Sequence, residues 1–437
     1  MNWLRHHLKD SLFFNAYLLI AMRILGAGMG FLFWMLAAHA AAADEVGIAS
    51  GAVSAATLFA GLAQLGLGYG LVRHLADSDD PNSLLNLSLI TSGLAALVLA
   101  GLFLIALPLW GPELLPLRAS LTASLVFVSL VLSTTTTQLM HWVFMAARRL
   151  SFSLWKMSIQ SALAIVLLIV LLPRMSGYLA IVTAYTLATI LALAISFWPF
   201  LALAQPGYRF SLRFNRSFRT PFASYSFVNY LADQVNRAPD TVLPLIVIQQ
   251  FGAGTGAVFF IVWTLGRSIA AWAGSIAESL FAEAAGRPER AGGQVGRAAR
   301  LGLPMALGIA AAVILAGPLI LKAYGPEYVA EGATLLSLVA LSGAPTVLLA
   351  IFVNYLRVHD RLRAVSIIMA CSVGIGMLLF VTLMQVGLVA AGAGWLAAQV
   401  AVLAGALLWW RCTNRARRSN VSDVVPGVEA SERVAYQ

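Results

Sequence analysis

Stretches of about 20 or more mainly apolar residues recur from residue 13 to residue 411, with only short polar connectors between them. Inside bilayer hydrocarbon the backbone satisfies its own polar groups only as helix or closed barrel. No segment alternates apolar and polar residues over the length of a soluble domain, so helices are the remaining choice. Twelve spans are predicted, at about residues 13–41, 46–71, 84–109, 119–147, 153–173, 177–203, 221–250, 254–281, 301–322, 330–356, 362–385 and 388–411. The expected fold is an all-α polytopic membrane protein. Composition agrees: 60% of residues are hydrophobic and 11% charged, against about 45–50% and about 25% in soluble domains.

The net charge of +10 reads as topology and not as nucleic-acid binding. Most of the 28 Lys and Arg fall in alternate connectors. One side holds Arg5, Lys9, Arg73, Arg148, Arg149, Lys156, the run Arg209 to Arg219, the run Arg287 to Arg300, Arg357, Arg361, Arg363 and the tail from Arg411. The other holds Arg118, Arg174 and Lys322. Both termini are therefore expected in the cytoplasm. The apolar run from Phe13 to Ala43 mimics a signal peptide but is about twice the usual length and contains Arg23, so it is read as an uncleaved first span.

The basic connector Gln205 to Thr220 lies near the midpoint, and Thr220-Pro221 suits a helix start. It divides the chain into an N-terminal lobe (1–203), a cytoplasmic basic linker (204–220), a C-terminal lobe (221–411) and a tail (412–437) expected to be disordered. Gly51-Ala52-Val53 recurs as Gly256-Ala257-Val258, and at the same offset Gly61 meets Gly266, a faint internal repeat of the kind that places a transport site between two halves. The segment Glu283 to Arg300 is read either as an amphipathic surface helix or as a solvated loop.

The seventh span is the least bilayer-like. Asp233, Arg237 and Asp240 share one helical face, with Asn229, Gln234 and Asn236 nearby. Arg23 and Arg267 are the other cations within spans. Five unpaired charges there would cost on the order of 12–17 kcal/mol. They are expected either to pair structurally, with both aspartates holding Arg237, or to line a cationic vestibule for an anionic cargo. Arginine suits the second role because its planar fork grips phosphate oxygens. The expected cargo contacts are Arg23, Arg237, Arg267, Asn229 and Gln234. Asp233, Asp240 and Glu278 are the candidates for ion coupling.

His141-Trp142, preceded by Thr134 to Gln138, forms a polar patch that reads as helix packing or as cavity lining. Gly26/Gly30 and Gly66/Gly70 read as close helix contacts or bending points. Cys371 and Cys412 imply no disulfide framework, and the six histidines are scattered, so no metal site is expected. No phosphate-cradling loop, catalytic triad or large external loop is found, which argues against an enzyme.

Three stretches resemble a known family. They are Gly66-Leu67-Gly68-Tyr69-Gly70-Leu71-Val72-Arg73, Tyr324-Gly325-Pro326-Glu327-Tyr328, and Asn354-Tyr355-Leu356-Arg357. They are similar to polysaccharide or O-antigen (Wzx-type) flippases of the multidrug/oligosaccharidyl-lipid/polysaccharide exporter superfamily. The resemblance implies twelve transmembrane helices in two six-helix lobes around a central cavity. The implied activity is transfer of undecaprenyl-pyrophosphate-linked oligosaccharide by alternating access, in lipopolysaccharide or exopolysaccharide synthesis. Implied partners are that lipid-linked oligosaccharide, membrane lipids, and a polysaccharide polymerase and chain-length regulator; no cofactor and no nucleic acid are implied. Arg23 and Arg267 fit the cationic span residues of the family. The chain lacks the two further C-terminal spans of the related lipid II flippases. Competing readings are a cation-coupled multidrug-type antiporter, which would want an acidic cavity, and a membrane polymerase or ligase, which would want a large outer loop.

Overall fold

The computed structural model describes residues 11–424 apart from 76, 79, 176, 212–220, 269–290 and 360. Among the described residues there is helix but no strand. The helices are α1 (Ser11–Ala40), α2 (Ala43–Ala63), α3 (Leu67–His74), α4 (Pro81–Trp110), α5 (Leu121–Ala146), α6 (Leu150–Leu171) and α7 (Gly177–Ile195). After the connector come α8 (Pro221–Phe251), α9 (residues 253–268), α10 (Ala291–Lys322), α11 (Pro326–Leu341), α12 (Gly343–Val358), α13 (Leu362–Leu383) and α14 (Leu388–Val424). Nine spans among the described residues are long and apolar enough to cross a bilayer, α11 and α12 counting as one. With α1, α8 and α9 they form the twelve spans of a two-lobe bundle.

Local chemistry sets the ends. Asp80 caps α4 by accepting from the Ser83 amide at 3.0 Å, with Pro81 at the first helical position. Ser120 does the same for α5 through the Ala123 amide at 3.1 Å. α10 and α11 are separated at Gly325, whose φ of +143° excludes most side chains, and Pro326 restarts the chain.

Several expectations need correction. The second span is not continuous: it breaks after Ala63, where Leu65 and Gly66 adopt φ of 49° and 81°, and α3 follows. Gly66 is thus a bending point. Gly30 is no close contact, since a Cβ there would meet nothing within 4 Å, while Gly26 meets only the Met157 side chain at 3.6 Å. Residues 291–300 are neither a surface helix nor a loop but the first turns of α10; residues 283–290 lie outside the described residues. The tail does not lose its structure after Arg411, because α14 runs on to Val424 and no helix breaker intervenes before Pro426.

α2 is the buried centre, covered along most of its length, whereas α6 has few buried positions. Its Ala, Gly and Ser residues let α4, α5, α7 and α8 approach closely. α8 bridges the lobes, packing on α2 and α3 from one and on α13 from the other. The two lobes close against each other at the end that carries the α1–α2 and α8–α9 turns. There a Cβ on Gly47 would overlap the Ala253 carbonyl, and one on Gly254 would lie 2.8 Å from Asp44 Oδ1. Gly51 and Gly256, the two ends of the faint repeat, both abut Ile248. Trp34 meets Phe260 at 4.9 Å and Phe31 meets Tyr324 at 5.2 Å, edge to face.

The start of the basic connector is fastened to the first lobe. Asn82 and Asn86 donate to the Gly207 and Arg209 carbonyls, and Tyr208 donates to Asn86 Oδ1 at 2.7 Å.

Candidate transport site

α8 keeps its helix through Pro239 and Pro244 and presents charge in two directions. Arg237 Nε donates to Asp233 Oδ2 at 2.9 Å, one turn apart. The pair is not sealed away, for the Arg237 side chain is 62% exposed. Asp233, Gln234, Arg237 and Thr241 form one wall of a chamber of about 410 Å³, fixed at Tyr230, whose hydroxyl donates to the Leu62 carbonyl at 2.9 Å.

The opposite wall comes from the first lobe. α5 supplies Thr137, Gln138, His141 and Trp142; α6 supplies Ser153, Lys156 and Gln160. Gln138 accepts from Gln64 at 2.8 Å, Gln160 donates to Thr189 at 2.9 Å, and His141 Nδ1 lies 3.1 Å from Ser153 Oγ. Lys156 is only 3% exposed. Its ammonium donates to the Thr137 carbonyl at 2.8 Å and meets no carboxylate among the described residues. Thr137 Oγ1 beside it has no hydrogen-bond partner among the described residues. A buried ammonium held by one neutral carbonyl is under-compensated, which favours an approaching anion. Among the described residues the charged ones that line it are Lys156 and Arg237 against Asp233, a cationic balance.

The polar patch is therefore both of the things its sequence suggested. Thr135 and Thr136 bond back to the Val131 and Leu132 carbonyls, while Thr137, Gln138, His141 and Trp142 line the chamber.

A second cluster lies on α8 and α9. Asp240 accepts from Arg267 Nε at 2.8 Å and Nη2 at 3.4 Å, and from the Trp263 indole at 2.9 Å. The guanidinium carbon lies 5.8 Å from the ring centroids of both Trp263 and Trp395, within cation–π range. Trp395 Nε1–H has no hydrogen-bond partner among the described residues. The Arg267 fork thus presents bidentate geometry suited to a carboxylate or a phosphate, with an unused donor alongside. Asp240 itself is 43% exposed, so the pair is open to a competitor.

The expectation that both aspartates hold Arg237 fails: Asp233 does, and Asp240 holds Arg267. Gln234, Asp233 and Arg237 come together in the chamber, whereas Asp240 and Arg267 do not line it. Arg23 and Asn229 stand on α1 and α8, with side chains outside the described residues, and Glu278 lies outside them entirely. Lys156 is the residue that sequence reasoning misplaced, as a connector cation. Its signal was present: Ser153, Lys156 and Gln160 fall at spacings of three and four on one helix face.

These features define a class: a two-lobe α-helical membrane transporter fold with a polar chamber between first-lobe helices and the bridging helix. Within it, the chain belongs to the family of polysaccharide biosynthesis proteins, whose model matches residues 12–247, more than half of its length. The resemblance read from the sequence is thereby borne out. No curated protein matches the chain. Among solved structures it is similar to "Lipid II flippase MurJ, inward closed conformation", with a TM-score of 0.70 at 12% identity over 90% of this chain and 87% of that one. It is also similar to an inward-facing multidrug resistance MATE family transporter of the MOP superfamily, with a TM-score of 0.64 at 17% identity over 91% and 95%. The Vibrio cholerae MATE transporter VcmN gives 0.55 at 15% identity over 92% and 97%. At these identities the likeness is one of fold.

Proposed function

We propose that the protein is a flippase for undecaprenyl-pyrophosphate-linked oligosaccharide, working by alternating access in the bacterial cytoplasmic membrane with both termini in the cytoplasm. The two lobes are residues 1–203 and 221–411, and the protein is a transporter without catalysis of its own. The observation that carries the reading is Lys156, a buried ammonium without a counter-charge among the described residues, facing Arg237 across the chamber. A pyrophosphate supplies the missing anion, and the neighbouring Gln, Ser and Thr side chains suit a glycan. The chamber's lining lies close in sequence to the basic connectors at Arg73 and Arg148, and the lobes meet at the opposite end, which supports reading the state as open toward the cytoplasm. Family membership in polysaccharide biosynthesis supports the same cargo class.

In this reading Asp240 occupies the Arg267 fork between transport steps, and a cargo phosphate takes its place. Asp233 and Asp240 are the groups on which an ion gradient acts. The test is reconstitution in vesicles with undecaprenyl-pyrophosphate-linked oligosaccharide, with glycan exposure on the far leaflet read by lectin binding. Wild-type protein is expected to accelerate exposure, Arg267→Ala to abolish it with normal membrane insertion, and Arg267→Lys to retain a fraction. Uptake of a cationic drug without any glycan exposure would replace this reading with the antiporter one.

A further inference from the structure

A groove of about 710 Å³ runs on the surface between α13 and α14 and shares no lining residue with the chamber. Its floor is kept low by Ala364, Cys371, Ala401, Gly405 and Ala406, small side chains that leave the space between the two helices unfilled. Ile367 and Ile375 form an apolar wall. From Arg363 to Ile375 α13 rises about 18 Å, close to the depth of a single leaflet in a hydrocarbon core about 30 Å thick.

One end of the groove is different. Arg361 and Arg363 line it there together with Trp409, a residue type favoured at the headgroup level. Their side chains form no hydrogen bond or ion pair among the described residues, whereas Arg357 nearby is engaged by Asn354 and Met369. Between Ala344 and Thr413 no carboxylate occurs among the described residues; Asp360 lies outside them. The groove thus combines leaflet-length apolar lining with two unengaged guanidinium groups at headgroup level. Basic pockets between transmembrane helices have the chemistry to hold anionic lipid headgroups.

We propose that this groove binds an anionic phospholipid of the surrounding bilayer, its phosphate on Arg361 and Arg363 and an acyl chain along Ala401 and Gly405. A polyisoprenoid chain of many more carbons would overrun a channel of this length. The site is separate from the chamber, so its occupancy and the transport reading stand or fall independently.

The test uses delipidated full-length Cys412→Ser protein, in which Cys371 is the remaining thiol and lies in the groove. Protection of Cys371 from a maleimide is titrated with phosphatidylglycerol, phosphatidylcholine and undecaprenyl phosphate. Phosphatidylglycerol is expected to protect at concentrations at least about tenfold lower than phosphatidylcholine, since each arginine near an anionic headgroup contributes on the order of 1 kcal/mol. Arg361→Ala/Arg363→Ala should erase that preference. Gly405→Phe should displace the lipid without disturbing the fold, because a Cβ there meets nothing within 4 Å; native mass spectrometry then shows lost phosphatidylglycerol adducts. Equal protection by both phospholipids, selectivity surviving the double alanine variant, or stronger protection by undecaprenyl phosphate would each overturn the proposal.

Discussion

Lys156→Met is expected to lose most transport while leaving the protein as stable as before, or more so. The two effects have one cause. The Lys156 ammonium is buried against a single backbone carbonyl, and the effective penalty for an uncompensated buried charge is several kcal/mol. A charge-assisted hydrogen bond returns about 1.5–3 kcal/mol of that. Methionine fills nearly the same volume without the charge, so thermal unfolding should not shift downward. Cargo transfer loses a cation–phosphate contact of comparable size, which corresponds to a roughly 10- to 100-fold slower rate. Lys156→Arg keeps the charge and should retain part of the activity, limited by fitting a fork beside Thr137 and Gln138. The pair of measurements is a melting curve in detergent and lectin-detected glycan exposure in vesicles. Undiminished transport in the Met variant would remove Lys156 from the cargo path, and a sharp loss of stability would make it a structural residue.

This residue also marks where sequence reasoning reached its limit. The twelve spans and the six-plus-six division were legible because apolar length and basic connectors are properties of segments, and segments survive small errors of register. The charged face of the seventh span was equally plain. Pairing was not, because it depends on which neighbouring helix approaches. Asp233 and Asp240 look equivalent about Arg237 along the chain, yet α9 brings Arg267 to Asp240 and resolves the ambiguity. Lys156 was hidden by its position six residues into α6, where a topology count treats it as a connector charge. The break at Gly66 was hidden by the apolar residues on both sides, which hydropathy reads as one span although φ of 49° and 81° at Leu65 and Gly66 ends the helix. The small-residue groove between α13 and α14 left no mark in charge or motif, because a groove is a property of two helices together.

Gly47→Ala is expected to unseal the closed end. In isolation the change favours helix, by roughly 0.5–1 kcal/mol, and that gain is common to every state of the transporter. The sealed state alone bears a cost, since the new methyl would overlap the Ala253 carbonyl, and backbone yields less readily than a flexible side chain. Overpacking of this kind costs typically 1–3 kcal/mol, which moves a two-state equilibrium by roughly 5- to 150-fold. The fold should persist, because the first lobe's core does not depend on the seal: α2 remains packed on α4, α5 and α7. The shift can be read with Ser50→Cys, placed beneath the seal at a fully buried position, in a Cys371→Ser/Cys412→Ser background. A membrane-impermeant thiol reagent added on the face opposite the arginine-rich one should label that site slowly in the parent. Labelling should rise by the same 5- to 150-fold factor with Gly47→Ala, and transport should fall because the cycle needs both ends to close in turn. Unchanged labelling would mean that the contact between Gly47 and Ala253 is not the barrier, and that the end is held by the Gly254–Asp44 contact and the Trp34–Phe260 and Phe31–Tyr324 ring pairs.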